Sequence, residues 1–204
     1  MLVVGMGGTA RDGSSSERAL RFALHHAEAL GAETRCLTAS DLCLPPYSPA
    51  NGHRSPVAAR LVDSLCDADG VLLASPAYHG TVSGLMKNAL DYAEDLSGRP
   101  RPYLDGVAVG CISVASGWQA GVGTLRTLRD IVHALRGWPT PYGAVITTSV
   151  RANGPEDWMD GSARASLELV AEQVVSFARR SLAAIEVCEG SAGPGERTPV
   201  KLRS

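Results

Sequence analysis

The sequence predicts a three-layer α/β/α domain on a doubly wound, five-stranded parallel sheet. Three observations predict it. Five short apolar runs alternate with five longer segments whose apolar residues recur at helical spacing. One of the runs, Gly70-Val71-Leu72-Leu73-Ala74-Ser75, is unbroken and stops at Pro76, as strands covered on both faces do. The loops that follow the first and fourth runs are rich in Gly and Ser, and the loop after the third is short, turn-rich and led by Pro76.

Leu2 to Val4 reads as the first strand. Ser14-x-x-Glu17 is a capping box and starts the first helix, with Leu20, Ala23, Leu24, Ala27 and Leu30 as its apolar stripe and Gly31 as its stop. His25 and His26 are adjacent on this helix and diverge by about 100°, so they do not form a joint metal site as an i, i+4 pair would. Glu33 to Leu37 is a short second strand. Thr38 to Ser55 is a long loop with Pro45, Pro46 and Pro49, a length that goes with function, an interface or a surface excursion. Pro56 suits the first turn of a helix that buries Val57, Leu61 and Leu65. After the third strand, a helix runs from about Gly84 to Leu96. Val107 to Val114 is the fourth strand, and the helix after it buries Leu125, Leu128, Ile131, Val132 and Leu135. Ala144 to Thr148 is the fifth strand. The last helix, Asp160 to Ala184, carries the stripe Leu167, Val170, Val174, Phe177 and Leu182. Residues 1–188 are expected to form one domain, and 189–204, rich in Gly, Pro, Ser and charge, a disordered tail.

The chain has 204 residues and a net charge of −2, with no basic excess to suggest nucleic acid or an anionic membrane. Its five cysteines (36, 43, 66, 111, 188) lack metal-type spacing and read as free thiols, which suits a reducing cytoplasm. No signal-like or membrane-length apolar run occurs, and the first strand begins almost at Met1, so nothing is expected before the domain.

Chemistry concentrates at Gly7-Gly8-Thr9-Ala10-Arg11-Asp12-Gly13-Ser14-Ser15-Ser16, between the first strand and its helix. Amides at a helix start bind anions, hydroxyls add neutral donors, and Arg11 adds a forked cation. Gly8 and Gly13 have P-loop spacing, but Ser14 stands where that loop needs lysine. Gly5-x-Gly7-x-x-Ala10 fits a dinucleotide fingerprint, yet it would place Gly13 and the serines inside the helix. A plain strand-to-helix turn needs neither the hydroxyls nor Arg11. A monophosphate loop uses all of them. Right-handed crossovers bring this loop to the same sheet edge as Pro76–Ser83 and Ser116–Gly123. The second loop offers backbone amides around Ala77 to Gly80 and the flat face of Tyr78. The third passes close to a ligand at Ser116-Gly117, with Trp118 beside it. A planar heterocycle with one terminal phosphate, such as FMN, fits this equipment.

Two stretches carry a family resemblance. The first is Gly8-Thr9-Ala10-Arg11-Asp12-Gly13-Ser14-Ser15-Ser16. The second is Pro76-Ala77-Tyr78-His79-Gly80-Thr81-Val82-Ser83-Gly84-Leu85-Met86-Lys87-Asn88-Ala89-Leu90-Asp91. They resemble the signatures of the NADPH-dependent FMN reductase family, flavodoxin-like proteins that include quinone, azo-dye and chromate reductases. The likeness runs from Leu2 to about Val150. It implies hydride transfer from NADH or NADPH to FMN and on to a quinone-like, flavin or other acceptor. It also implies that Thr9, Arg11, Ser14 and Ser16 hold the FMN phosphate, that Pro76, Ala77, Tyr78, His79 and Gly80 lie along the ring, and that Ser116 and Gly117 flank its other side. No metal is implied, and no catalytic side chain is certain, because the chemistry belongs to the flavin. His79 is a candidate proton donor. Tyr78, His79 and Trp118 are candidates to line the acceptor site. Ala77, His79 and Trp118 depart from the commoner family residues. The family implies a homodimer or homotetramer, with the Lys87–Leu96 helix and the 45–50 loop as a partner face. Arg99 and Arg101 are candidates for a nicotinamide 2′-phosphate or for solvated loop charges. Two alternatives are a flavodoxin-type electron carrier without nicotinamide turnover, and a non-flavin enzyme that uses the cradle for another phosphate.

Overall fold

Parallel pairing runs through the whole sheet, and its strand order reverses once, beside the first strand. The computed structural model describes residues 1–50, 52–148 and 159–191. In chain order the elements are β1 (Leu2–Gly7), α1 (Ser15–Ala29), β2 (Glu33–Leu37), α2 (Ala39–Leu42), α3 (Pro56–Asp67), β3 (Gly70–Pro76), α4 (Gly84–Asp91), a 3-10 turn over Tyr92–Leu96, β4 (Ala108–Ala115), α5 (Trp118–Ala134), β5 (Trp138–Pro139), β6 (Ala144–Thr147) and α6 (Gly161–Ser191). The order across the sheet is β2-β1-β3-β4-β5, with β6 also paired to β4. The chain therefore winds outward from β1 to β2, then returns to place β3 on the other side of β1. This is the flavodoxin-like winding order.

The expected fifth strand is present as β6, and a two-residue strand that was not expected, β5, precedes it. Trp138 and Pro139 pair with Ala108 and Val109, and Ala144 to Thr147 pair with Ile112 to Ala115. Pro139 and Pro141 interrupt the ladder because proline has no amide to donate. The same two prolines hide Trp138–Pro139 from a reading that looks for a continuous strand.

Two apolar layers sandwich the sheet. On one face α1 and α6 bury Leu20, Leu24, Leu167, Val170 and Val174 against Val3, Leu72 and Ile112. On the other, α3, α4, the 3-10 turn and α5 bury Leu61, Leu65, Met86, Leu96, Leu128 and Val132 against Val4, Met6, Val71, Leu73 and Val109. Each fully buried leucine contributes about 2 kcal/mol. The alternation of strand side chains between the two layers is the reason both faces of β3 and β4 are apolar.

The helix starts follow their sequence signals. Ser14, Ser55 and Ser83 cap α1, α3 and α4, each hydroxyl accepting a first-turn amide. The expected helix from Gly84 to Leu96 is α4 followed by the 3-10 turn. The loop expected over Thr38–Ser55 contains one helical turn, α2, started by a Thr38 amide that donates to the Asp41 carboxylate at 3.2 Å. His25 and His26 are separate, facing Glu28 and Glu172 respectively. Cys36, Cys43, Cys66 and Cys111 are free thiols, and burial pushes Cys111 up to about 12. Among the described residues, no helix is long and apolar enough to cross a membrane. The tail expected from 189 lies, beyond Ser191, outside the described residues.

Candidate functional site

The reversal of winding at β1 and β3 leaves a cleft above the carboxyl ends of the strands, where open α/β sheets bind ligands. Its volume is about 340 Å³, and its lining comes from four chain segments. Thr9, Arg11 and Ser14 to Ser16 come from the loop after β1, and Pro76 to Tyr78 from the loop after β3. Val114, Ala115 and Ser116 end β4, and Thr148 follows β6.

The first loop is organised from within. Thr9 is buried and its hydroxyl accepts the Arg11 amide at 3.1 Å, which folds the chain back at the arginine. Arg11 itself is exposed. Ser14 and Ser16 are buried, their hydroxyls 3.3 Å apart. The Ser14 hydroxyl accepts the Glu17 amide at 3.2 Å, one half of the expected capping box. The other half differs. The Glu17 carboxylate reaches past Ser14 and accepts the Gly13 amide at 2.9 Å. Gly13 has a φ of 65°, so the extra residue turns the loop before the helix begins.

The second loop is a tight hairpin. Tyr78 and Thr81 exchange amide–carbonyl hydrogen bonds, and the two residues between them, His79 and Gly80, both have positive φ, 53° and 81°. That is the geometry of a type I′ turn, which favours Gly and tolerates residues such as Asn and His. Two of the four amides from Ala77 to Gly80 are engaged within the fold. Ala77 donates to Val114 at 2.8 Å and Tyr78 donates to Thr81 at 3.1 Å. His79 and Gly80 stand at the exposed tip and do not line the cleft. From this loop the exposed Tyr78 ring and the edge of Pro76-Ala77 line the cleft. The tip rests on α5, where a Cβ added to Gly123 would lie 2.8 Å from the Gly80 carbonyl oxygen. This close approach accounts for a glycine inside a helix, a substitution that costs about 1 kcal/mol against alanine.

The third loop is short. Ser116 reaches the cleft, whereas Gly117 does not line it and instead caps α5 without a side-chain acceptor. Trp118, the first residue of α5, is 65% exposed and outside the cleft lining. Of the residues singled out from sequence, the structure thus brings together Thr9, Arg11, Ser14, Ser16, Pro76, Ala77, Tyr78 and Ser116. It leaves His79, Gly80, Gly117 and Trp118 at the periphery. Sequence reasoning missed Ser15, Val114, Ala115 and Thr148. Thr148 was recoverable, since every parallel strand ends at this edge; its amide donates to Ala115 at 2.9 Å.

A second groove, about 480 Å³, shares Thr9, Arg11 and Tyr78 with the cleft and continues to Ser83, Gly84 and Leu85 at the start of α4. The Ser83 hydroxyl donates to the Gly8 carbonyl and accepts the Met86 amide, tying the first loop to α4.

The proline-rich loop before α3 is anchored to α4 and the 3-10 turn. Asn88 accepts the Tyr47 amide at 2.8 Å and donates to the Leu44 and Pro45 carbonyls at 3.2 and 3.0 Å. Arg54 grips Asp95 with two nitrogens, at 2.5 and 2.7 Å, beneath the rings of Tyr47 and Tyr92. The Arg54 hydrogen bonds hold the Asp95 carboxyl below its ordinary range. Asn88 and the Lys87–Asp91 pair, at 2.5 Å, are therefore structural members of the second signature. Arg101 is likewise structural: its guanidinium donates to the Leu65, Cys66 and Ala68 carbonyls and closes the end of α3.

Comparison with known proteins agrees with this architecture. A Bacillus sp. (strain OY1-2) NADPH azoreductase is 33% identical over 86 residues, 42% of this chain and 45% of that protein. A 2-hydroxy-1,4-benzoquinone reductase from Burkholderia sp. is 35% identical over 118 residues, 54% of this chain and 62% of that protein. The chain thus spans about half the length of the curated relatives it matches. Among solved structures, the flavoenzyme NAD(P)H:(acceptor) oxidoreductase FerB from Paracoccus denitrificans superposes with a TM-score of 0.69 at 19% identity, covering 88% of this chain and 98% of that one. The structure of RosB with a bound riboflavin-phosphate intermediate superposes with a TM-score of 0.72 at 12% identity, covering 100% and 92%. At these identities the superpositions establish the fold. The family description NADPH-dependent FMN reductase matches residues 1–151, and the chain belongs to that family.

Proposed function

We propose that this protein is an NAD(P)H-dependent flavoprotein oxidoreductase that holds FMN in the cleft above β1 and β3 and reduces a small quinone-like, azo or flavin acceptor. The observation that carries the reading is the division of the cleft. One end has buried hydroxyls with an exposed arginine; the other has an exposed aromatic face. These residues fit a flat ring with a single terminal phosphate. Thr9, Ser14 and Ser16 supply neutral donors, Arg11 supplies the charge-assisted pair, and the α1 start supplies backbone amides. Tyr78 offers the ring a stacking surface, and Ser116 closes the opposite wall.

Bound FMN supplies the redox chemistry, accepting hydride from a reduced nicotinamide and returning electrons to the acceptor. The chain's own work is to hold the phosphate and to keep Tyr78 in place through the hairpin. Tyr78, His79 and Trp118 are exposed; in this reading they belong to the acceptor side, with His79 giving a proton to an acceptor oxygen. Arg101 is engaged by α3 carbonyls, so recognition of a 2′-phosphate falls to other residues. Residues 1–188 act as one domain, in a homodimer or homotetramer in the cytoplasm. The Tyr47–Arg54–Asp95 cluster stiffens a surface that suits a partner chain.

The test is direct. The purified protein, incubated with FMN and desalted, is expected to be yellow, with NADH or NADPH bleaching it without oxygen and a quinone restoring the colour. A yellow protein that neither nucleotide bleaches is an electron carrier instead. A protein that takes up no FMN removes the proposal altogether.

A further inference from the structure

A carboxylate lies buried in the anion cradle. Glu17 is 5% exposed and is the one acid in the first turn of α1. Placed there without partners, it would repel a phosphate. Both of its oxygens are engaged. Oε1 takes the Arg21 Nε and Nη2 nitrogens at 2.8 Å each, and Oε2 takes the Gly13 amide at 2.9 Å. Arg21 lies one turn along the helix and is held above its ordinary range, first by the Glu17 hydrogen bond. The pair is neutral overall, and among the described residues that line the cleft Arg11 carries the charge.

The Gly13 contact has a directional effect. With its amide drawn toward the helix at positive φ, the chain turns so that Ser14 caps α1. The Glu17 amide goes to the Ser14 hydroxyl, and the Arg18 amide goes to the Ser14 carbonyl. Among the described residues, the Ser15 and Ser16 amides donate to nothing, as first-turn amides without a cap do. Both residues line the cleft.

We infer that Glu17 is a positioning residue: its carboxylate fixes the Gly13 turn so that the Ser15 and Ser16 amides, with the Ser14 and Ser16 hydroxyls, face a ligand phosphate. Arg21 neutralises that carboxylate so that the cradle still accepts an anion. The inference rests on the FMN reading and adds to it a residue outside the family signature.

Binding of FMN and of riboflavin, which lacks the phosphate, tests it by flavin fluorescence quenching. Glu17→Ala should weaken FMN about tenfold, the range of a hydrogen bond to a charged group, and leave riboflavin unchanged. Glu17→Gln keeps an oxygen for the Gly13 amide and should stay within about threefold of wild type for FMN. Inorganic phosphate should raise the thermal midpoint of the flavin-free wild type and Glu17→Gln, and raise that of Glu17→Ala less. Equal losses for both flavins in Glu17→Ala would make Glu17 a general helix support and overturn the inference. Tighter FMN binding in either variant would make the carboxylate a repulsive charge and overturn it too. If the wild type binds neither flavin, the FMN reading fails with it; if the wild type binds FMN and Glu17→Ala matches it, the inference alone fails.

Discussion

The loops after β1 and β3 meet at one cleft but are built on opposite plans. In the first, local side chains satisfy just enough of the backbone to leave hydroxyls and amides pointing outward. In the second, the backbone closes a two-residue hairpin and turns the Tyr78 ring, with the edge of Pro76-Ala77, toward the cleft. The difference teaches which part of a ligand each can hold. A loop with free donors and a cation grips charge; a loop pinched at its base presents a surface. Residue types reveal the first plan, and turn chemistry reveals the second.

Three substitutions probe that division, in falling order of effect. Arg11→Ala should weaken FMN by about thirtyfold, near 2 kcal/mol, with riboflavin unaffected, since a charge-assisted pair to phosphate is lost. A matching loss for riboflavin, measured by the same titration, would mean that the first loop supports the ring as well. Gly123→Val should push the hairpin tip from α5 and weaken both flavins alike, by about fivefold, because overpacking shifts the backbone that carries Tyr78. A change confined to FMN would join the two loops into one unit. Arg54→Ala lies outside both loops. It should lower stability by about 1 kcal/mol, read by urea unfolding, and leave both flavin affinities as they were.

The Arg54–Asp95 pair also sets a pH dependence. Asp95 is held below its ordinary range, so its contribution is present above the unfolded carboxylate value, near pH 4, and is lost as the pH falls through the lowered one. Acid should therefore narrow the stability gap between wild type and Arg54→Ala. A constant gap down to about pH 2 would show that the ring contacts, rather than the ion pair, hold the loop.

Much of the fold was legible because its signals are local and redundant. The capping box at Ser14 and Pro56 mark two helix starts, and the unbroken run at Gly70 reveals a strand buried on both faces. The fifth strand was half legible, since Pro139 and Pro141 contradict a pattern that the sheet tolerates at its edge. In the cleft, the hydroxyls and Arg11 were legible by chemistry. His79 and Gly80 were singled out for contact, yet their residue types report the φ angles of a turn. The grip of Arg54 on Asp95, 41 residues away, has no local signature, and neither does the closure of α3 by Arg101. Both depend on loops whose course only the folded chain fixes.

The broken fifth strand has a consequence for solubility. Among the described residues, β2 and the β5–β6 side form the margins of the sheet, and each resists extension by another chain in its own way. β2 puts Glu33, Thr34 and Arg35 along its rim. The opposite rim stops after two residues, bends through Thr140 to Gly143, and resumes for four. A foreign strand laid along it would find its ladder cut midway by two prolines, so this rim discourages fibril growth even with Trp138 standing 59% exposed beside it.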